Sequence, residues 1–163
     1  MTNDAAKYLA RAERSKKENK KFLQTIQRHK DLDKLFHNAH DEVFAKTDCL
    51  TCANCCKTTS PIFRDVDIER IAKHMRIKPS ALTTALLHID DENDWVLNQS
   101  PCTFLQDDNL CSIYEVRPLA CREYPHTHRK NMAQITDLTW RNTTVCPAVA
   151  EMVERIKTSV QQT

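Results

Sequence analysis

The chain contains no glycine in 163 residues, where an average sequence of this length holds about ten. Loops that cradle phosphate, of the P-loop and dinucleotide-fold types, use glycine for tight turns and for close approach of backbone to ligand. Neither type can be built here, and the usual glycine-rich loop for a methyl-donor nucleotide is missing as well. A kinase, a nucleotide-driven enzyme and a nicotinamide dehydrogenase are therefore excluded as readings. Turns have to be made by Asn, Asp and Pro, as at Asp107-Asp108-Asn109 and Asp91-Glu92-Asn93-Asp94.

The second constraint is eight cysteines. The apolar runs are only a few residues long, so no segment reads as membrane-spanning. The N-terminal residues 1–17 are polar and lack the apolar core of a signal peptide. The expected compartment is the cytoplasm, where thiols stay reduced. Eight reduced cysteines then point to metal and away from a disulfide framework.

Residues 4–46 contain no proline and are rich in helix formers. Phe22 and Ile26, then Leu32, Leu35, Phe36, Ala39 and Val43, recur at helical spacing, and Asp31 or Asp33 is placed to cap the second helix. Eight Lys or Arg against two Glu lie between Arg11 and Lys30. Such a basic helix offers a surface to an unidentified protein partner, while a net charge of +2 over the whole chain argues against nucleic acid. The plainer reading is a solvated helix whose Phe22 and Ile26 pack on the body.

Further on, acidic residues at 65, 67 and 69 open a helix with apolar positions 68, 71, 72 and 75. A short helix is expected over Ala81–Leu87 and a strand at Trp95-Val96-Leu97. Cys102–Leu105 and Leu110–Tyr114 flank Gln106–Asn109 as a hairpin. Pro147 starts a terminal helix with Val149, Met152, Val153 and Ile156 as its buried stripe. The expected fold is α+β and mostly helical: a small metal-organised domain with a short β-hairpin and a helical N-terminal arm. The arm spans 1–46 and the cysteine-cluster metal-binding domain, with its C-terminal helix, spans 47–163.

The cysteines are Cys49, Cys52, Cys55, Cys56, Cys102, Cys111, Cys121 and Cys146. Two thiolates three residues apart can close on one metal through a tight turn. Here the step occurs twice in succession, the spacing that wraps three corners of a cubane iron–sulfur cluster, with a remote Cys followed by Pro as a fourth ligand. Cys146-Pro147 has that local form. Adjacent side chains diverge, so Cys55 and Cys56 seldom serve one tetrahedral centre. One arrangement gives Cys56 to a second site with some of Cys102, Cys111 and Cys121; the spacing alone leaves the partition open. Lys57, Arg117, Arg122 and Arg129 stand close in sequence to cysteines and suit neutralisation of thiolate charge. His126 and His128 follow Cys121 as further candidate ligands, whereas His74 and His88 read as ordinary helix-face residues.

Cys49-x2-Cys52-x2-Cys55-Cys56, Pro101-Cys102-x-Phe104-Leu105, Cys111-Ser112-Ile113-Tyr114, Arg117-Pro118 and Cys121-Arg122-Glu123-Tyr124-Pro125 follow one another in order. Over roughly residues 47–150 this set resembles the bacterial YkgJ-like cysteine-cluster family (CxxCxxCC), described as chelating zinc or iron and related to a domain of flagellin lysine methylases. The resemblance implies metal chelation by the eight cysteines and attaches no substrate. The methylase link transfers poorly to a short chain without glycine. Glycine commonly sits inside the family's cluster; Ala53-Asn54 stand here, and Asn54 tolerates the left-handed conformation.

The expected cofactor is thus an iron–sulfur cluster of the [4Fe-4S] type or Zn2+. An iron–sulfur centre implies electron transfer or an accessory role beside a partner enzyme; zinc implies a structural module. A thiolate-rich, coordinatively closed set and the lack of a Ser/His/Asp triad motif give no catalytic residue.

Overall fold

The structure is a computed structural model that describes residues 3 to 162. The first two residues of the expected arm and the last of the expected body lie outside the described residues. In chain order the helices are α1 (Asn3–Arg14), α2 (Lys16–Ile26), α3 (Leu32–Phe44), α4 (Cys49–Cys52), α5 (Asn54–Thr58), α6 (Asp65–Met75) and α7 (Pro79–Leu86). Strands β1 (Leu87–Ile89) and β2 (Trp95–Leu97) follow, then α8 (Leu119–Glu123), α9 (Thr136–Asn142) and α10 (Pro147–Gln161). The fold is mostly helical α+β, as expected.

The chain divides into two compact units. Unit 1 takes the described residues up to Cys52 together with those from Pro125 onward, and unit 2 is Ala53–Tyr124. The division into units falls at 52/53 and again at 124/125, because the C-terminal helix packs with the N-terminal ones.

Unit 1 is a helical assembly in which α10 packs on α1 and α3, and α2 packs on α9. Its core is Leu23, Ile26, Leu32, Phe36, Ala39 and Val43 from α2 and α3, with Met132, Ala148, Met152, Val153 and Ile156 from the C-terminal part. The whole expected stripe of α10 is buried, and Phe22 packs partly buried against this core. Fully burying one such large side chain contributes about 1.5–3 kcal/mol. The basic segment is held by charge as well as by packing. Lys157, only 8% exposed, donates to Glu18 (2.8 Å) and Glu154 (3.2 Å), and Arg11 pairs with Glu154 (2.8 Å). Asp31 occupies the N-cap position of α3 without a side-chain capping bond. Asp33 is used differently: its carboxylate accepts the N–H groups of Asn131 and Met132, each at 2.8 Å.

Unit 2 has a second, separate core of Phe63, Ile68, Ile71, Ala72, Leu82, Leu87, Leu97, Phe104 and Ile113. Helix α6 begins as its acidic first turn predicts and buries Ile68, Ile71 and Ala72, while Met75 stays exposed. Asp67 lies wholly buried in that first turn. It accepts from Arg64 Nε (3.0 Å), from the Arg70 guanidinium and from the Leu119 N–H (3.3 Å), tying α6 to the start of α8. Burial alone would raise its pKa, but the hydrogen bonds from the two arginines outweigh it and hold the carboxyl at about 2.

The two strands form an antiparallel pair, Leu87↔Leu97, His88↔Val96 and Ile89↔Trp95. The strand at Trp95 was expected; its partner was read as the end of a helix, so His88 stands on a strand and bonds Asn98 (3.2 Å). The hairpin expected around Gln106–Asn109 survives as a turn closed by one bridge, Leu105↔Cys111, with no strand on either side among the described residues.

Without glycine, positive φ falls on Ala53, Arg76, Asn93, Asn109, His126 and Asn131. Asn93 and Asn109 lie in the two turns anticipated from composition. Arg76 ends α6 in the left-handed conformation, with Ile77 N–H returning to Ala72 O at 3.0 Å, a role glycine usually fills.

Candidate metal centre

The cysteine motif is laid on two single-turn helices. Asp48 opens α4, its Oδ1 accepting the Leu50 N–H at 2.9 Å, and Thr51 Oγ1 donates back to Asp48 O at 2.9 Å. Cys49 and Cys52 end up on this turn. One residue, Ala53, separates it from α5, which carries Cys55 and Cys56. Ala53 takes φ 47° and ψ 20° and is buried. The left-handed residue of the loop is thus Ala53 and not the adjacent Asn54, at a cost of roughly 1 kcal/mol for a residue with a Cβ. Among the described residues no disulfide joins any of the eight cysteines; Cys49 is exposed and the other seven are half-buried.

In unit 1, Cys146 occupies the N-cap position of α10 without a side-chain capping bond; the first-turn N–H groups of Val149 and Ala148 favour its thiolate, and it lies within electrostatic reach of Cys49 and Cys52. Burial raises the Cys146 thiol to about 11, with the two neighbouring cysteines adding to the rise and the N–H groups opposing it. The side chain also packs against the core of the unit.

In unit 2, Cys56, Cys102, Cys111 and Cys121 act on one another. Burial pushes the Cys121 thiol up to about 12, and the charges of Cys56, Cys102 and Cys111 push the same way. Burial likewise raises Cys102, opposed by N–H donors from Phe104 and Leu105. It raises Cys111, opposed by the Ile113 N–H. Cys56 moves the other way, to about 6, chiefly through a hydrogen bond with Cys55, and then, against burial, through Lys57 and Arg117. Arg117 also favours thiolate at Cys111 and Cys121. Two of the four cations picked out in the sequence, Lys57 and Arg117, therefore act on cysteines here.

His128 belongs to a different group. It stacks on His37 (4.8 Å between ring centres), tilts against His40 (5.0 Å) and faces Asp41 across 3.7 Å. His40 bonds Thr127 Oγ1 at 2.8 Å, and His37 bonds the Arg129 carbonyl at 2.9 Å. Sequence adjacency to Cys121 suggested ligation for His128; the fold gives its ring to the histidines of α3. His37 and His40 were missed, although their i, i+3 spacing puts them on one face of a helix.

Among the described residues, no group of three or more His, Cys, Asp or Glu side chains already stands in a geometry that could hold a metal ion. The fit is one of donor chemistry. Partly buried sulfurs that raise one another's pKa need a positive charge among them to become thiolates, and a bound cation supplies it. N–H donors aimed at Cys102, Cys111 and Cys146 are the contacts that thiolate ligands retain once the metal is bound.

No curated protein and no solved structure matches the chain. A family model does, over residues 48–147, which contain all eight cysteines: "CxxCxxCC: Putative zinc- or iron-chelating domain". By that match, covering more than half of its length, this chain belongs to the CxxCxxCC family of zinc- or iron-chelating domains.

Proposed function

We propose that this chain is an iron–sulfur protein whose cluster is seated on Cys49, Cys52 and Cys146 and which serves electron transfer or supports a partner enzyme. The observation that carries this reading is Cys146 at the N-cap of α10, within electrostatic reach of Cys49 and Cys52. The sequence pattern asked for a remote Cys-Pro beside the C-x2-C-x2-C run, and this pair lies almost a hundred positions from it in the chain. The N-terminus of α10, with the Val149 and Ala148 N–H groups nearby, favours negative charge on the Cys146 sulfur, which shifts a cluster's reduction potential upward. An eight-cysteine chain without a recognisable catalytic constellation fits a carrier or accessory better than an enzyme.

The test is purification without oxygen, followed by iron and acid-labile sulfide analysis and visible absorption. Iron with matching sulfide and a broad visible band is the expected result, lost in C146S. Colourless zinc with no sulfide would sink the iron–sulfur reading. The second reading is then a zinc-stabilised module, which the half-buried cysteines of unit 2, packed against a small core, favour.

A further inference from the structure

We propose that the outward face of α2, with the groove between α2 and α9, is a docking surface for an acidic segment of a protein partner. The surface lies wholly in unit 1 and does not depend on which metal the cysteines hold. Lys17 and Lys21 stand one turn apart on α2, with Arg14 a turn before them and Arg28 just past the helix end, and all four are exposed. Like charges three or four residues apart repel along a helix. The acids that could offset this row are engaged elsewhere: Glu13 pairs with Lys16 (3.4 Å) and Glu18 with Lys157 (2.8 Å). Other cations of unit 1 do find carboxylates, Arg11 at Glu154 (2.8 Å), Arg141 at Asp137 (3.0 Å) and Arg155 at Glu151 (2.7 Å). Among the described residues, Arg14, Lys17, Lys21 and Arg28 have no ion-pair partner. A carboxylate-rich partner supplies the counter-charge that the row lacks.

The groove beside the row gives that partner a place to anchor. Gln24 and Gln27 of α2, with Thr136, Asp137 and Trp140 of α9, line a cavity of about 170 Å³. Half-buried Trp140 is held in place: its Nε1 donates to Lys16 O at 2.9 Å, and Lys20 Nζ lies 4.3 Å from the ring centre. A fixed tryptophan beside cations is the kind of residue on which protein interfaces concentrate their energy. The lining favours polypeptide over nucleic acid. Asp137 can accept a peptide N–H, which a phosphodiester backbone cannot offer, and Lys20 already covers the indole face on which a base would stack. Between its cations the row presents Gln24 and Thr25, with no apolar side chain to enter a bilayer.

The experiment uses the full chain, purified with its metal, and three probes: a labelled synthetic peptide of glutamates around a central phenylalanine, an oligothymidylate of equal charge, and phosphatidylserine vesicles. The peptide is expected to bind most tightly and to weaken as salt rises. Lys17→Glu with Lys21→Glu should cost about tenfold in affinity, as the loss of two exposed charge contacts and their reversal predict. The same double reversal at exposed Lys73 and Lys78 of unit 2 changes net charge equally and should leave binding unchanged. In the unaltered chain, lysine acetylation read by peptide mass analysis should show the bound peptide protecting Lys17 and Lys21 and not Lys73 and Lys78. This measurement decides the matter even if a variant misfolds. The proposal is overturned if the peptide does not bind at low salt, if both double reversals weaken it alike, if protection falls elsewhere, or if the oligothymidylate or the vesicles bind more tightly. Iron and sulfide content decides the cluster reading separately, since none of these variants touches a cysteine.

Discussion

The two units reach a core by different routes. In unit 1, helices of eleven to fifteen residues bury continuous apolar stripes against one another, and the core is complete without a cysteine at its centre. In unit 2 the elements between α6 and α8 are short, the sheet has two three-residue strands, and two cysteines pack directly on the core. A two-stranded sheet is at best marginally stable by itself. Periodic helices supply stability through area, and short elements have less of it to offer. Cysteine packs beside both cores, Cys146 on one and Cys102 with Cys111 on the other, so the difference between the units lies in their helices and not in the presence of sulfur.

The largest effect should come from stripping metal. Structural zinc sites supply on the order of 10 kcal/mol of folding free energy, so chelation is expected to raise amide exchange across Ala53–Tyr124 while the buried stripe of α10 stays protected. Uniform exchange in both units would erase the distinction. Next, Phe36→Ala removes a fully buried ring from unit 1 and should cost about 3–5 kcal/mol. Denaturant unfolding should register that loss equally with and without metal; a metal-dependent cost would mean that unit 1 also leans on the centre.

Asp67 sharpens the comparison from the polar side. Its folded pKa of about 2 lies below an unfolded value of about 3.9. The stability it supplies, roughly 2 kcal/mol, is therefore fully present above the unfolded value and disappears as pH falls through the folded one. Acid titration of wild type against Asp67→Asn should show the two converging between about pH 4 and pH 2, with the variant weaker at neutral pH. A constant gap over that range would assign the effect to packing. The smallest change is Ala53→Gly, which relieves a left-handed alanine and should stabilise by about 1 kcal/mol in urea. Destabilisation would show that the buried methyl group contributes more than the backbone strain costs.

Much of the helical part was legible because its signals are local. Pro147 fixes the first position of α10, and Val149, Met152, Val153 and Ile156 follow at a period the chain reads without help from elsewhere. The acidic start of α6 is similarly self-contained. Strand β1 was not legible: Leu87-His88-Ile89 continues a helical pattern, and only pairing with Trp95–Leu97 makes it extended. The hairpin at 102–114 shortened to a single bridge because its N–H groups close local turns, Leu105 to Cys102 O (3.0 Å), Asn109 to Gln106 O (3.0 Å) and Tyr114 to Cys111 O (3.1 Å). For the site, the sequence located all eight cysteines and linked Cys146 with the C-x2-C step. It offered one arrangement with Cys56 beside some of Cys102, Cys111 and Cys121 and left the partition open, because contacts such as the backbone bond between positions 56 and 102 carry no local signal. Ala53 gave no signal, as Asn54 beside it is the better left-handed residue by intrinsic preference.

Unit 2 is one uninterrupted stretch of chain set between the two segments that make unit 1. A growing polypeptide lengthens from its N-terminus, so Cys56, Cys102, Cys111 and Cys121 have all been synthesised before Cys146 exists. All five cysteines of unit 2 are therefore in place while unit 1 still lacks its second segment, and the final helix brings Cys146 with it.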